Sequence, residues 1–231
     1  MLHELGLKYG TDKATHHGYT HVYHDYFKDR RESVKNVLEI GTGYGPSVQM
    51  WKDYFPNATI YTVDVRDIYK YGEDDRVVRG IYNFGKRYDK DKAFTHLEYK
   101  MKGNDNSKGI DTFKKDFPIE FDIIIEDASH MMKDQQQTLS MLFDQVKPGG
   151  IYVLEDLATS HKLPRWARYK QEGDTNTLDM LHQFNETGGF ESVHMTQGEI
   201  NFLNDNVAYC EIHERDTSMR STLAFIGRKY D

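Results

Sequence analysis

The stretch from Phe121 to Asp156 constrains this chain more than any other. It reads Phe-Asp-Ile-Ile-Ile-Glu-Asp-Ala-Ser-His, then a polar helical run, then Lys-Pro-Gly-Gly-Ile-Tyr-Val-Leu-Glu-Asp. Residues 123–125 and 151–154 have the length and β-branching of strands buried on both faces of a parallel sheet. Each run ends in acid: Glu126 and Asp127 after the first, Glu155 and Asp156 after the second. In an open α/β sheet, ligands bind at the carboxyl ends of the strands. These carboxylates and His130 should therefore meet at one sheet edge, where a crowd of like charges calls for a cation. A hard divalent metal in a catalytic cleft is the reading that follows.

Upstream, residues 37–40 predict a strand that runs into Gly41-Thr42-Gly43-Tyr44-Gly45, with a helix over 46–54. Alternate glycines let the backbone approach a ligand closely, and the helix aims its N-terminus at that ligand. Residues 58–63 predict a second strand ending in Asp64, a carboxylate placed to bind both hydroxyls of a ribose. The Gly-x-Gly-x-Gly spacing favours S-adenosylmethionine (SAM) over a dinucleotide. A further strand over 97–101 would lead to Asn104 and Asp105, which can bracket an adenine and bond its amino group. As bare sequence, that loop is also an ordinary turn.

The totals narrow the class. With 231 residues, 38% hydrophobic and 29% charged, the chain suits one soluble domain over 1–231. No apolar run approaches the ~20 residues of a membrane span, and a single cysteine, Cys210, suits a reducing, cytoplasmic setting. The formal charge of −7 argues against general nucleic-acid binding. Residues 1–33 carry five histidines and read as a helical flap or a solvated face; His17, His21 and His24 share a helical face, with zinc as the minor alternative. Residues 66–95 read as an insertion with a short strand over 76–79, serving as a substrate-side loop, a homo-oligomer contact or simply a solvated excursion. Later, 133–143 and 177–186 predict helices, 147–150 a turn, and 190–195, 207–214 and 222–228 strands, the last two an antiparallel hairpin.

The chemistry of such a site is methyl transfer. An alcohol acceptor must lose its proton, and a divalent cation together with a nearby histidine accomplishes this. Mg²⁺ takes oxygen ligands in octahedral geometry. Asp127, Glu155 and Asp156 would fill half of it, leaving room for two adjacent hydroxyls, with His130 as general base. Taken singly, each residue has a plainer reading: Asp127 as a helix cap, His130 as a structural histidine, Glu155-Asp156 as a solvated turn.

Together these residues resemble the metal-dependent sugar O-methyltransferases of antibiotic biosynthesis. The opening Lys8-Tyr9-Gly10-Thr11-Asp12-Lys13…His17…Tyr19…Tyr23, the loop from Glu39 to Gly45, and Asp127-Ala128-Ser129-His130 paired with Leu154-Glu155-Asp156-Leu157 carry the resemblance. It covers nearly the whole chain apart from about 66–95, and Asn104-Asp105 stands where the family usually has Asp-Gln. The resemblance implies a Rossmann-like class I SAM-dependent methyltransferase fold: a mostly parallel seven-stranded sheet with a C-terminal antiparallel hairpin and helices on both faces. It further implies Mg²⁺ or Mn²⁺ on Asp127, Glu155 and Asp156, with His130 and Asp127 catalytic. SAM would be held by Lys13, Glu39, Gly41, Thr42, Gly43, Gly45, Asp64, Asn104, Asp105 and Asp127. The implied acceptor is a sugar, a rhamnose-type deoxyhexose of a glycoside or glycan. The rivals are a metal-dependent catechol or phenol methyltransferase and a SAM-binding module without catalysis.

Overall fold

The computed structural model describes residues 1–66, 68–81, 106–161, 164–169, 176–217 and 220–230. Three helices open the chain: α1 (Leu2–Tyr9), α2 (Asp12–Thr15) and α3 (Tyr19–Phe27). Gly10 closes α1 in the left-handed conformation, φ 73°, as a glycine C-cap does. There follow β1 (Asn36–Ile40), α4 (Pro46–Tyr54), β2 (Thr59–Asp64), β3 (Val77–Ile81), α5 (Asn106–Asp116), β4 (Phe121–Glu126), α6 (Met132–Leu142) and β5 (Val146–Leu154). The chain ends with α7 (Thr177–Thr187), α8 (Gln197–Asn206), β6 (Val207–Glu214) and β7 (Thr222–Arg228).

The strands form one sheet in the order β3-β2-β1-β4-β5-β7-β6. The first five are mutually parallel, and β7 runs antiparallel to both β5 and β6. The period of two sends Val37, Ile123, Ile125 and Val153 to one face, where they meet Tyr23, Phe27, Trp51 and Phe55 of the N-terminal half. Leu38, Ile124, Tyr152 and Ile226 point the other way, against Phe113, Leu139, Leu142 and Leu181. Helices thus cover both faces, as the sequence pattern required. Residues 1–33 join the first of these cores, with Leu2, Tyr19, Tyr23 and Phe27 fully buried.

Two expectations are corrected. Residues 147–150 are not a turn between helix and strand. They lie inside β5, where the pairing with β4 slips between Phe121 and Ile123, and Gly149, at φ 72°, supplies the kink that such a bulge needs. Residues 190–195 are not a strand. Val193 is 68% exposed, Phe190 stacks on Phe184 of α7, and the chain proceeds into α8, which the sequence reading missed. The strand expected over 97–101 and the adenine loop at Asn104-Asp105 lie outside the described residues. Among the described residues no helix is long and apolar enough to cross a membrane.

Candidate active site

The parallel ladder carries the acidic residues to one edge. Asp127 N donates to Ile40 O at 2.8 Å and Glu155 N to Glu126 O at 3.0 Å, so pairing continues to the last residue before the loops. There, ligand atoms of Asp127, His130 and Asp156 all lie within 4.8 Å of one another. His130 Nδ1 stands 3.4 Å from Asp156 Oδ2 and 3.9 Å from Asp127 Oδ1, and this buried nitrogen has no hydrogen-bond partner. His130 and Asp156 both adopt φ 56°, a left-handed backbone that costs a non-glycine residue roughly 1–3 kcal/mol and collects at functional sites. Thr159 steadies both: its hydroxyl is 3.1 Å from the carbonyl oxygens of His130 and Asp156.

Glu155, expected beside Asp127 and Asp156, is turned inward. Its Oε1 accepts from Tyr23 at 2.5 Å and its Oε2 from Lys13 at 2.7 Å. Asp127, Asp156 and His130 are open to solvent (20, 22 and 24% exposed), while Glu155 and Lys13 are sealed (2 and 1%). The lysine ammonium also lies 2.5 Å from Asp127 Oδ2 and 3.8 Å from Glu39 Oε1. Burial disfavours its charge, yet Asp127, Glu155 and Glu39 outweigh that and hold its pKa well above the usual lysine value. Glu126 is the opposite case: burial, with Asp127 and Asp134 adding, pushes its carboxyl well above the usual range, and it lies outside the group of Asp127, His130 and Asp156 whose ligand atoms converge. Asp127 does not cap a helix; α6 begins after Met131 without a side-chain cap.

Two tyrosines and a histidine of the N-terminal segment complete the site. Tyr19 donates to Asp156 Oδ1 at 2.9 Å, Tyr23 to Glu155, and His17 Nδ1 sits 3.5 Å from Asp156 Oδ1 and 2.8 Å from Ser221 Oγ. The sequence carried these residues only as parts of a motif; no local signal assigns their contacts. The zinc alternative fails on geometry, since His24 turns to Tyr54 and His21 stacks on His3.

The glycine loop stands beside this cluster. Gly41, at φ 101°, passes so close to the next strand that a Cβ would lie 2.0 Å from Asp127 O; at Gly45, φ 92°, a Cβ would strike the Tyr69 ring at 2.2 Å. A Cβ placed on Gly43 would meet nothing within 4 Å: that is the open side of the cradle. Gly43 N donates to Asp64 Oδ2 at 2.8 Å, which fixes the acid at the end of β2 against the loop, and Thr42 Oγ1 is 2.5 Å from Thr62 Oγ1. Glu39, expected to face the cofactor, is fully buried behind the loop and accepts from Ser47 Oγ at 2.9 Å and Trp51 Nε1 at 3.1 Å. It ties β1 to α4. Burial raises its carboxyl to about 7, with Lys13 opposing.

Strand order, glycine loop, acid after β2 and the acidic edge of β4 and β5 together define the class I SAM-dependent methyltransferase fold. The chain belongs to the family described as the methyltransferase domain, whose profile matches residues 13–194. It is 32% identical over 169 residues to the mycinamicin VI 2''-O-methyltransferase of Micromonospora griseorubida, covering 69% of this chain and 37% of that protein. It is 31% identical over 180 residues to the 8-demethyl-8-alpha-L-rhamnosyl tetracenomycin-C 2'-O-methyltransferase of Streptomyces olivaceus, covering 75% and 41%. The MycE methyltransferase of the mycinamycin biosynthetic pathway, solved in complex with Mg and SAH, superposes with a TM-score of 0.69 at 25% identity, over 99% of this chain and 55% of that one. The chain thus spans well under two thirds of the length of these relatives.

Proposed function

We propose that the chain is a SAM- and divalent-metal-dependent O-methyltransferase acting on a sugar hydroxyl, with a deoxyhexose such as rhamnose as acceptor. The observation that carries this reading is the convergence of Asp127, His130 and Asp156 at the strand edge beside the open cradle of Gly41, Thr42, Gly43, Gly45 and Asp64. The names of its relatives, which are sugar O-methyltransferases, and the Mg and SAH of the MycE complex support it. On this reading 1–231 is one methyltransferase unit in the cytoplasm, with residues 1–33 roofing the site; within the stretch expected as an insertion, residues 77–81 are instead β3, paired with β2 at the sheet edge.

The donor set suits a hard cation: oxygen atoms of Asp127 and Asp156 within 4.8 Å of each other and of the His130 ring. Asp127 and Asp156 would hold the metal, with Glu155 adjoining at the same strand end. When bound, the cation lowers the pKa of an acceptor hydroxyl and SAM supplies an electrophilic methyl. The chain's own residues do the rest. Asp64 and the glycine loop fix the cofactor, so that reaction rests on alignment more than on covalent help. His130 Nδ1, unpaired and facing the cluster, receives the hydroxyl proton, and the adjacent Asp127 and Asp156 carboxylates stabilise the imidazolium.

Turnover of SAM with a panel of rhamnosides and catechols, with and without EDTA, tests the reading. Methylation of the sugars alone, abolished by EDTA and reduced about 10²–10⁴-fold in His130→Ala, is the expected result. Full activity in EDTA would remove the metal, undiminished activity in His130→Ala would remove the base, and turnover of catechols alone would move the enzyme to the phenol class.

A further inference from the structure

Lys13 is a lysine ammonium sealed from solvent at the heart of the site. An ammonium is expensive to bury and is tolerated only where good geometry and several hydrogen bonds replace water. Here the replacement is Asp127 Oδ2 at 2.5 Å, Glu155 Oε2 at 2.7 Å and Glu39 Oε1 at 3.8 Å. These acids belong to β1 and to the ends of β4 and β5, three strands adjacent in the sheet. One cation therefore joins carboxylates that would otherwise repel one another. The short helix α2 delivers it, with Thr11 accepting from Lys13 N at 3.4 Å.

The division of oxygens matters most. Asp127 gives Oδ2 to Lys13, which leaves Oδ1 on the side of His130. Any rotation that takes Oδ1 out of the cluster also breaks the buried ion pair. Glu155 is anchored from two sides, by Lys13 and Tyr23, at the residue next to Asp156.

We propose that Lys13 is the positioning residue of the metal centre: its ammonium sets the plane of the Asp127 carboxylate and neutralises the carboxylates behind it, so that the donor set is arranged before a cation arrives. The proposal rests on the metal-dependent reading above. Two effects oppose each other here. A fixed positive charge repels an incoming cation, whereas its loss leaves three carboxylates, Glu39 and Glu155 sealed and Asp127 partly exposed, without a counter-charge and free to splay. With two of the three contacts at hydrogen-bond distance and the ammonium itself sealed from water, the second effect dominates.

The test is Mn²⁺ binding to the full chain, read from the free-Mn²⁺ paramagnetic resonance signal without SAM or acceptor, with SAH affinity measured on the same samples. Lys13→Met keeps the stem and removes the charge. Its Mn²⁺ Kd is expected to rise about tenfold or more, the scale for residues that orient ligands, by a larger factor than any change in SAH affinity, with Lys13→Arg intermediate. Mn²⁺ binding in Lys13→Met as tight as wild type, or tighter, would overturn the proposal, since the ammonium would then be a spacer or a competitor. Equal losses of Mn²⁺ and SAH affinity would overturn it too, as general collapse. A wild-type chain that binds no Mn²⁺ would instead remove the metal reading, and Lys13's role with it. If Lys13→Met does not fold, Lys13→Arg decides: its planar fork cannot sit as a point charge between the acids, so wild-type Mn²⁺ affinity in that variant counts against positioning.

Discussion

At the scale of single residues, the site shows how little room its parts have. Gly41 combines a positive φ with an approach to the Asp127 carbonyl that no side chain survives. Gly41→Ala is expected to lose at least about 2 kcal/mol of stability, from strain plus backbone displacement, read as a lower urea midpoint. Glu39 makes the pH argument. Its folded-state pKa of about 7 lies above the ordinary 4.5, so the folded chain holds this proton more tightly than the unfolded one. The associated stability is fully present below pH 4.5 and is lost as pH rises through about 7, by about 3 kcal/mol at roughly 1.4 kcal/mol per pH unit. Glu39→Gln cannot ionise. Relative to wild type, its urea midpoint should therefore gain steadily from pH 4.5 to above 7; parallel pH profiles would contradict the assignment.

At the scale of elements, most strands and helices are legible in the sequence, but the strand expected over 190–195 is absent and helix α8 carries no expectation. The β-branched runs at β1, β4 and β5 are unambiguous because burial on both faces demands them. Helix α8 announced itself through Thr196 and Glu199, which form a capping box: Glu199 N is 3.3 Å from Thr196 Oγ1, and Glu199 Oε2 accepts from Thr196 N at 2.6 Å. That signal lay in the sequence, but the apolar residues just before it suggested a strand. The bulge in β5 had no comparable signal, because Lys-Pro-Gly-Gly serves a turn equally well. Thr196→Ala is expected to cost about 1 kcal/mol and to speed amide exchange at the start of α8, with methyl transfer unchanged.

At the scale of the whole molecule, the N-terminal segment is inseparable from both core and chemistry. Tyr23 packs against Trp51 and Phe225 while its hydroxyl reaches Glu155, and Lys13 spans from α2 to β4 and β5. A chain lacking residues 1–33 should lose cooperative unfolding in urea, since one face of the sheet would be stripped and the carboxylates left without their cation. Retention of a sharp transition would show that these helices are an appendage.

The sequence by itself determined the sheet, the glycine loop, the acids at the strand ends and the kind of chemistry they suit. These depend on local rules: side-chain period, turn chemistry, and the fact that parallel strands end together at one edge. Only the tertiary structure decided which oxygen of each carboxylate is committed and which is open. Lys13 meets Asp127 and Glu155 across separations of 114 and 142 residues, and no pattern in the chain encodes contacts of that range. They arise because α2 and α3 pack over the carboxyl edge of the sheet, where an ammonium and two phenols replace the water that buried carboxylates would otherwise require.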